Sequence, residues 1–261
     1  MEGRKEYIVE ITKAAQQIIL TKLNDNYAID IKNNNQSDIV TEIDIEVEKF
    51  LVNKIKERYP NDGFITEENT VCDPNKDYVW IIDPIDGTMN FVYEQRDFAI
   101  SIALYHEGIG EVGVVCNVVN DEMIVGVRNE GLSVNGIKPS PLTTVNLRQS
   151  IIDVSLRTMV TLNEKGIANL FKMSSSILSH RNIGSAAIRI CDVALGRAHM
   201  YISDTLCIWD FAAGIIILRE AGGYDNYMEE ELKFTSDRVD LMVANNKGIV
   251  TELKDKFYFN N

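Results

Sequence analysis

The sequence predicts an α+β protein whose first half forms an antiparallel sheet and whose second half alternates strands with helices. Three observations support this prediction. Apolar residues recur at helical spacing up to residue 58, strands joined by short turns follow, and strands alternate with helices after about residue 145. We see no long linker, internal repeat or low-complexity tract. We therefore expect two packed halves, residues 1–145 and 146–261.

Two helices begin the first half. Ile8, Ile11, Ala15 and Ile19 share one face of a predicted helix at 4–23, and a second predicted helix at 41–58 ends before Pro60. The expected inward face of the second helix is Ile45, Val47, Phe50, Leu51 and Ile55. The segment KNNNQS at 32–37 predicts a polar loop. Strands are then expected at 63–66, 78–82, 98–106, 110–118 and 122–127, with the last three in an antiparallel meander.

The second half repeats strand and helix. We expect strands near 151–155, 176–180, 198–202 and 241–244, and helices near 159–173, 185–195, 209–221 and 248–257. The segment DNYMEEEL at 225–232 predicts a solvated acidic loop.

Charge and cysteine content narrow the class of protein. The 26 Lys and Arg face 39 Asp and Glu, and a net charge of −13 argues against binding to a nucleic-acid backbone. Any phosphorylated substrate would need local positive charge, for which a bound divalent metal is a candidate. The four cysteines form no C-x-x-C pair, so neither a disulfide framework nor a cysteine zinc site is expected. No apolar run reaches membrane-spanning length and no signal peptide is evident, so we predict a cytoplasmic protein with no membrane partner.

The most informative segment is VWIIDPIDGT at 79–88, where a buried strand leads into a turn. Asp83 and Asp86 lie three residues apart there, and Gly87 and Thr88 follow. Carboxylate oxygens are ligands that Mg²⁺ prefers, and the backbone N–H groups after such a turn suit an anion. A single turn of this kind also fits carboxylates that only cap the backbone.

Two further acidic segments favour the metal hypothesis. Glu67 and Glu68 follow a predicted strand, and Asp210 begins the otherwise apolar helix of CIWDFAAG. A carboxylate on an apolar helix needs a partner if it is buried.

Taken together, these motifs resemble the inositol monophosphatase family of metal-dependent phosphatases. The resemblance rests on SDIVTEID at 37–44, E-E at 67–68, D-P-I-D-G-T at 83–88, G-S-A-A at 184–187 and W-D-F-A-A-G at 209–214, in this order along nearly the whole chain. It implies a layered α/β/α/β/α sandwich, a homodimer and two or three Mg²⁺ ions per site.

The resemblance also implies a role for each motif residue. One metal would be bound by Glu67, Asp83 and the carbonyl of Ile85, and a second metal would be bound by Asp83, Asp86 and Asp210. A third, weaker metal would lie near Glu67, and Glu68 would be a supporting neighbour. Gly87 and Thr88 would hold the phosphate, and Asp44 would orient the Thr88 hydroxyl, which positions the attacking water with Glu67. Gly184, Ser185 and Ala186 would line the pocket for the alcohol.

The chemistry expected from this site is direct attack by metal-activated water, without a phosphoenzyme. The D-P-I-D-G-T segment also resembles the D-x-D-G-T nucleophile of haloacid-dehalogenase-type phosphatases, although its spacing is D-x-x-D. The C-x5-R spacing at 191–197 lies within a predicted helix, and G-x-G-x-x-G at 108–113 precedes a strand, so neither indicates a phosphate loop. A catalytically silent binding subunit is a further alternative, against which the complete set of acids argues.

The preferred substrate is open. In inositol-specific members of the family, a glutamate seven residues before the W-D aspartate contacts the sugar hydroxyls. Ser203 occupies that position here, with Asp204 next to it. Inositol monophosphate is the expected substrate, and NADP(H) 2′-phosphate, fructose 1,6-bisphosphate, 3′-phosphoadenosine phosphates or a broad set are the alternatives.

Overall fold

The secondary structure follows from a computed structural model that describes residues 3–24, 27–31, 39–228, 232, 234–235 and 237–259. The helices are α1 (Arg4–Lys22), α2 (Glu42–Arg58), α3 (Thr88–Tyr93), α4 (Leu156–Glu164), α5 (Ala186–Ala194), α6 (Ile208–Glu220) and α7 (Lys247–Phe257), with 3-10 helices at Leu147–Gln149 and Leu170–Ser175. The strands are β1 (Ile29–Ile31), β2 (Ile39–Thr41), β3 (Gly63–Thr66), β4 (Cys72–Asp73), β5 (Tyr78–Asp86), β6 (Ala99–His106), β7 (Ile109–Asn117), β8 (Glu122–Val127), β9 (Gly131–Val134), β10 (Ile151–Val154), β11 (Ser179–Arg181), β12 (Met200–Leu206), β13 (Tyr224–Asp225) and β14 (Val239–Ala244).

The first half carries a seven-stranded sheet in the order β4-β3-β5-β6-β7-β8-β9. Only β3 and β5 are parallel neighbours in it, and the predicted β6-β7-β8 meander is confirmed. Successive side chains of a strand point to opposite faces of the sheet. Trp80 and Ile82 of β5 accordingly pack against the core that contains α1 and α2, whereas Val79 and Ile81 face the core that contains α5 and α6. The sheet is therefore covered on both faces.

The second half carries a five-stranded sheet in the order β11-β10-β12-β14-β13. Strand β10 is parallel to both β11 and β12, and β14 is antiparallel to β12 and β13. The parallel pairs arise because helices cross between the strands, as the predicted alternation requires.

Three hydrophobic cores separate five layers. One core joins α1 and α2 to the seven-stranded sheet, the second joins both sheets through α5 and α6, and the third joins the five-stranded sheet to α4 and α7. The predicted α/β/α/β/α sandwich is thus confirmed. The boundary between the halves at residue 145 stays a prediction.

Helix α6 lies unusually close to the seven-stranded sheet because the sheet presents glycines to it. A Cβ atom on Gly113 would lie 2.4 Å from the carbonyl oxygen of Ala213, and one on Gly126 would lie 2.7 Å from the Cα of Ile217. A Cβ on Gly110 would likewise lie 2.7 Å from Ile216 Cγ1. The G-x-G-x-x-G segment is therefore a strand surface that receives a helix, after a turn at Gly108.

Several sequence predictions need correction. The helix expected at 159–173 is α4 plus a separate 3-10 helix, because Gly166 adopts φ +66° after α4 ends. The strand expected at 176–180 is the shorter β11. Ile45 and Phe50 of α2 are only half-buried, whereas Asp44 and Glu48 are buried.

The expected acidic loop at 225–232 begins with a buried residue instead. Asp225 is completely buried and accepts two hydrogen bonds from Arg219, at 2.8 and 2.9 Å. The acidic residues 229–231 and the predicted polar loop at 32–37 lie outside the described residues.

The described helices include none that combines the length and the apolar character needed to cross a bilayer. Cys116, Cys191 and Cys207 are buried, Cys72 is exposed, and all four are free thiols.

Candidate active site

A cavity of about 260 Å³ brings together most of the predicted site residues. Its lining includes Glu67, Asp83, Ile85, Asp86, Gly87, Thr88, Gly184, Ser185, Ala186, Ser203 and Asp210. Asp44 and Glu68 were also predicted and do not line it. The lining residues come from both sheets and from the helices between them, so the cavity lies where the two halves meet.

The end of β5 supplies the two aspartates. The pairing of β5 with β6 is irregular between Asp83 and Asp86, so both side chains can reach the cavity. Asp83 Oδ1 accepts a hydrogen bond from the backbone N–H of Ile85 at 3.0 Å. Gly87 then adopts φ +95° and caps α3, a conformation that costs glycine little.

Asp86 joins β5 to the N-terminus of α5. Its carboxylate accepts hydrogen bonds from the Ser185 hydroxyl and from the N–H groups of Ala186 at 3.3 Å and Ala187 at 2.7 Å. Carboxylates are favourable at a helix N-terminus because the first N–H groups have no partner within the helix. Ser185 and Ala186 are thus fixed by one of the acids.

Asp210 occupies the first turn of α6. Its Oδ2 accepts a hydrogen bond from the N–H of Cys207, the residue that precedes the helix, at 2.8 Å. This contact caps the helix and fixes the direction of the carboxylate. Asp210 therefore both caps the N-terminus of α6 and lines the acidic cavity.

The three aspartates form one acidic cluster. Ligand oxygens of Asp83, Asp86 and Asp210 all lie within 4.8 Å of one another. Burial holds the pKa of Asp83 well above the usual carboxyl range, and the negative charges of Glu67, Asp86 and Asp210 raise it further. Burial is likewise the main cause that raises the pKa of Asp210, and it raises the pKa of Asp86 to about 6 against the hydrogen bonds that the Asp86 carboxylate accepts.

This cluster fits a hard divalent cation. The donor atoms are all carboxylate oxygens, and Glu67 adds a fourth carboxyl group in contact with that of Asp83. No lysine or arginine is among the described residues that line the cavity. A bound cation would balance the buried negative charge, which otherwise raises the pKa values of the acids.

Glu48 of α2 fixes the turn that carries Glu67 and Glu68. This completely buried carboxylate accepts hydrogen bonds from the N–H of Glu68 at 2.8 Å, the N–H of Thr70 at 3.0 Å and the Thr70 hydroxyl at 2.7 Å. The sequence analysis missed Glu48, although its spacing of four residues from Asp44 places both acids on one face of the helix.

Asp44 lies behind the cavity wall and contacts Thr88. Its Oδ2 accepts from the N–H and hydroxyl of Thr41 and so caps α2, while Oδ1 lies 3.3 Å from the Thr88 hydroxyl. The same hydroxyl lies 3.2 Å from the carbonyl oxygen of Ile85. The predicted Asp44–Thr88 contact is present, and it links α2 to the start of α3.

A further wall of the cavity, formed by residues of the second half of the chain, is polar and was largely missed. Asp153, Ser155, Thr158, Asn182 and Tyr201 line it together with Ser203. Asp204 does not line this cavity, because its Oδ1 accepts a hydrogen bond from the Thr158 hydroxyl at 2.8 Å. The signal that could have identified Asp153 is a single acid inside the apolar segment I-I-D-V, the same kind of signal that identified Asp210.

Comparison with known proteins agrees with this geometry. The model of the inositol monophosphatase family matches residues 3–257. Inositol-1-monophosphatase of Bacillus subtilis is 37% identical over 216 residues, which cover 82% of this chain and 81% of the relative. The Nus factor SuhB of Escherichia coli K12 is 31% identical over 217 residues, with the same coverage of both chains.

Solved structures show the same fold. Two structures of SaIMPase-II, one bound to inositol monophosphate and one to 2′AMP, each have a TM-score of 0.81 and 32% identity to this chain, and they cover 96% of it and 92% of their own chains. The metal-dependent chemistry of this family agrees with the acidic cluster of Asp83, Asp86 and Asp210. The chain therefore belongs to the inositol monophosphatase family and is a phosphoric monoester hydrolase that acts on small phosphorylated substrates.

Proposed function

We propose that this protein is a Mg²⁺-dependent phosphomonoesterase that hydrolyses inositol monophosphate by direct attack of water, without a phosphoenzyme. The observation that supports this most is one cavity that combines the acidic cluster with the hydroxyl and amide groups of Ser155, Thr158, Asn182 and Ser203. The acids suit metal and phosphate, and the polar wall suits a hydroxylated alcohol.

Two or three Mg²⁺ ions are proposed for this site. Glu67, Asp83 and the Ile85 carbonyl would hold one ion, Asp83, Asp86 and Asp210 a second, and Glu67 would be near a weaker third, with Glu68 supporting Glu67. When bound, these ions supply positive charge to the phosphate oxygens and make water a better nucleophile.

Thr88 and Asp44 orient the attacking water in this proposal. Because the Thr88 hydroxyl donates a hydrogen bond to Asp44 Oδ1, its oxygen lone pairs can accept a hydrogen bond from water. Glu67 would accept a second hydrogen bond from the same water, which directs the water oxygen to phosphorus. The backbone N–H groups of Gly87 and Thr88 hold the phosphate in line for the attack.

The aspartates are better placed as ligands than as nucleophiles. Both oxygens of Asp86 already accept hydrogen bonds, and Asp83 Oδ1 accepts one from Ile85. Such bonds stabilise the carboxylate and reduce its nucleophilicity. This argues against the aspartyl-phosphate intermediate of haloacid-dehalogenase-type enzymes.

The lack of lysine and arginine among the described lining residues favours a monophosphate. Fructose 1,6-bisphosphate or a 3′-phosphoadenosine phosphate would bring a second phosphate to a cavity whose described lining has no lysine or arginine. An unpaired anion beside carboxylates is unfavourable, so these two substrates are disfavoured. Gly184, Ser185 and Ala186 would contact the alcohol, with Ser203 leaving more room than a glutamate would.

NADP(H) 2′-phosphate is a second candidate, because a neighbouring cavity could hold the rest of a nucleotide. That cavity of about 440 Å³ shares Ile202 and Ser203 with the first and contains Lys165 and Arg238. SaIMPase-II bound to 2′AMP supports this candidate.

On family resemblance alone we also propose a homodimer in the cytoplasm. Light scattering tests the oligomeric state, and cell fractionation tests the location.

Phosphate release from a substrate panel tests the proposal. Inositol 1-phosphate, NADP, 2′AMP and fructose 1,6-bisphosphate are each incubated with Mg²⁺ and with EDTA. We expect Mg²⁺-dependent release with inositol 1-phosphate first in kcat/KM, and loss of turnover in Asp83→Asn and Asp210→Asn while the circular dichroism spectrum is retained. Glu57→Gln, on an exposed face of α2, is the control. Release with EDTA, or substantial turnover in either aspartate variant, would contradict the metal assignment, and a folded, Mg²⁺-binding protein with no release would favour the silent-subunit alternative.

A further inference from the structure

Asp153 of β10 lines the same cavity as the acidic cluster. Strand β10 pairs in parallel with β12, with Asp153 next to Tyr201 in the register. Both side chains line the cavity. The Tyr201 phenol is buried, which raises its pKa, and Asp86, Asp210 and Asp153 each raise that pKa further. Tyr201 is thus close to the acidic cluster and to Asp153.

The two oxygens of Asp153 have different environments. Oδ2 accepts a hydrogen bond from the N–H of Ile183 at 3.2 Å and lies 2.9 Å from Arg189 Nε. Among the described residues, the hydrogen bond that Asp153 accepts goes to Oδ2, and none goes to Oδ1. Asp153 lines the cavity and its side chain is only 2% exposed, so Oδ1 is available to a molecule in the cavity and to little else.

A buried arginine lies against this carboxylate and favours its charged form. The Arg189 side chain is 9% exposed and also lies 2.5 Å from Asp192 Oδ2. Asp192 in turn lies 3.6 Å from Arg197, which forms two hydrogen bonds with Glu122 on β8. Burial raises the pKa of Asp153 to about 6, and the charge of Arg189 opposes this rise. Near neutral pH the carboxylate is therefore mainly ionised, and Asp153 presents a charged acceptor to the cavity.

We propose that Asp153 determines substrate specificity by accepting a hydrogen bond, through Oδ1, from a hydroxyl group of the leaving alcohol. The inference rests on the proposed phosphatase function of the same cavity. In this proposal Asp153 on β10 supplies a carboxylate, which Ser203 on β12 lacks. Arg189 is the positioning residue, since it acts only through Asp153. The substrate class is a phosphate monoester of a polyhydroxylated alcohol.

A pair of substrates that differ only in hydroxyl groups tests this directly. Inositol 1-phosphate and cyclohexyl phosphate have the same six-membered ring, so the ratio of their kcat/KM values reports recognition of the hydroxyls. Hydrogen bonds to a charged acceptor contribute about 10- to 100-fold to such a ratio, and neutral ones about half as much on the logarithmic scale. The ratio is measured for Asp153→Asn, for the double variant Asp153→Ala/Arg189→Met and for Asp192→Asn.

The expected result is a ratio about 5-fold lower in Asp153→Asn and about 10- to 100-fold lower in the double variant. The double variant removes both partners of the buried pair, so it avoids an uncompensated arginine if Asp153→Asn folds poorly. Asp192→Asn is the matched control, because Asp192 contacts the same arginine but does not line the cavity, and its ratio should equal that of the wild type. A ratio that is unchanged in the Asp153 variants, even if both rates fall, would overturn the inference and leave Asp153 as a support for the loop at Ile183. No phosphate release from either substrate by the wild-type protein would instead refute the proposed function, and this inference with it.

Discussion

Glu48 gives the sharpest test of how the fold supports the candidate site, because it is a buried carboxylate that accepts hydrogen bonds from the turn at 68–70 and lies outside the predicted ligand set. It accepts hydrogen bonds from Glu68 N–H, Thr70 N–H and the Thr70 hydroxyl, at 2.8, 3.0 and 2.7 Å. The substitution Glu48→Gln keeps the size of the side chain. It replaces one acceptor oxygen with an amide group that also donates, so at least one of these donors loses its partner.

The cost can be worked out from these contacts. A hydrogen bond to a charged group contributes about 1.5–3 kcal/mol, and a buried donor left without a partner costs about 1–3 kcal/mol. We therefore expect Glu48→Gln to lower the free energy of unfolding by about 2 kcal/mol. For a chain of this size that corresponds to a fall in Tm of roughly 4–8 °C.

The same substitution should weaken metal binding, because Glu67 precedes the anchored N–H of Glu68 by one residue. Thermal unfolding measures the stability, and titration of metal-free protein with Mg²⁺, followed by the fluorescence of Trp209 beside Asp210, measures the binding. Glu57→Gln is the control on the same helix, since Glu57 is 66% exposed and pairs with Lys54 at 3.2 Å. Exposed pairs of this kind contribute less than about 1 kcal/mol. If Glu48→Gln were as stable as Glu57→Gln and bound Mg²⁺ equally well, the anchoring role of Glu48 would be refuted.

Three further predictions concern pH, packing and specificity. First, burial raises the pKa of Asp86 to about 6, above its value in the unfolded chain, so the folded metal-free protein binds more protons than the unfolded chain. The stability of the metal-free protein should therefore fall as the pH rises from about 4 to about 6, and saturating Mg²⁺ should remove this fall. Urea unfolding at a series of pH values measures both effects. Second, Gly113→Ala introduces a Cβ atom 2.4 Å from the carbonyl oxygen of Ala213. This clash should lower the free energy of unfolding by about 1–3 kcal/mol, and it should lower the affinity for Mg²⁺ by displacing α6. An unchanged Tm would show that α6 adjusts freely. Third, Ser203→Glu should raise the kcat/KM of inositol 1-phosphate relative to 2′AMP, and an unchanged ratio would mean that residue 203 does not contact the alcohol.

The elements that could be predicted from the sequence are those whose pattern is local. Strands β5 to β8 are largely apolar runs, and short turns separate β6, β7 and β8. Helix α6 is apolar with one acid in its first turn. The turn after Asp83 has Pro84 and Gly87 to specify it. For the same reason the motif residues Asp83, Asp86 and Asp210 could be named in advance, and the structure brings them together.

The features that were missed depend on contacts between distant segments. Strands β4, β9 and β13 are two to four residues long and exist because a neighbouring strand pairs with them. The break after α4 depends on Gly166, which a helical apolar pattern alone does not mark as an end. Glu48 and Asp153 lie on apolar surfaces where their charge looks unfavourable until their partners, the turn at 68–70 and Arg189, are known.

These contacts explain how the chain can hold several like charges in one cavity. Each aspartate of the cluster accepts a hydrogen bond from a backbone N–H: Asp83 from Ile85, Asp86 from Ala187 and Asp210 from Cys207. Those donors belong to three different elements, which are held together by the core around α5 and α6 and by the glycines beneath α6. The free energy of this packing offsets the repulsion between the acids, which is why their pKa values can remain raised in a folded protein. The geometry of the cluster is therefore set by the fold, and a divalent cation would relieve the repulsion without having to assemble the site.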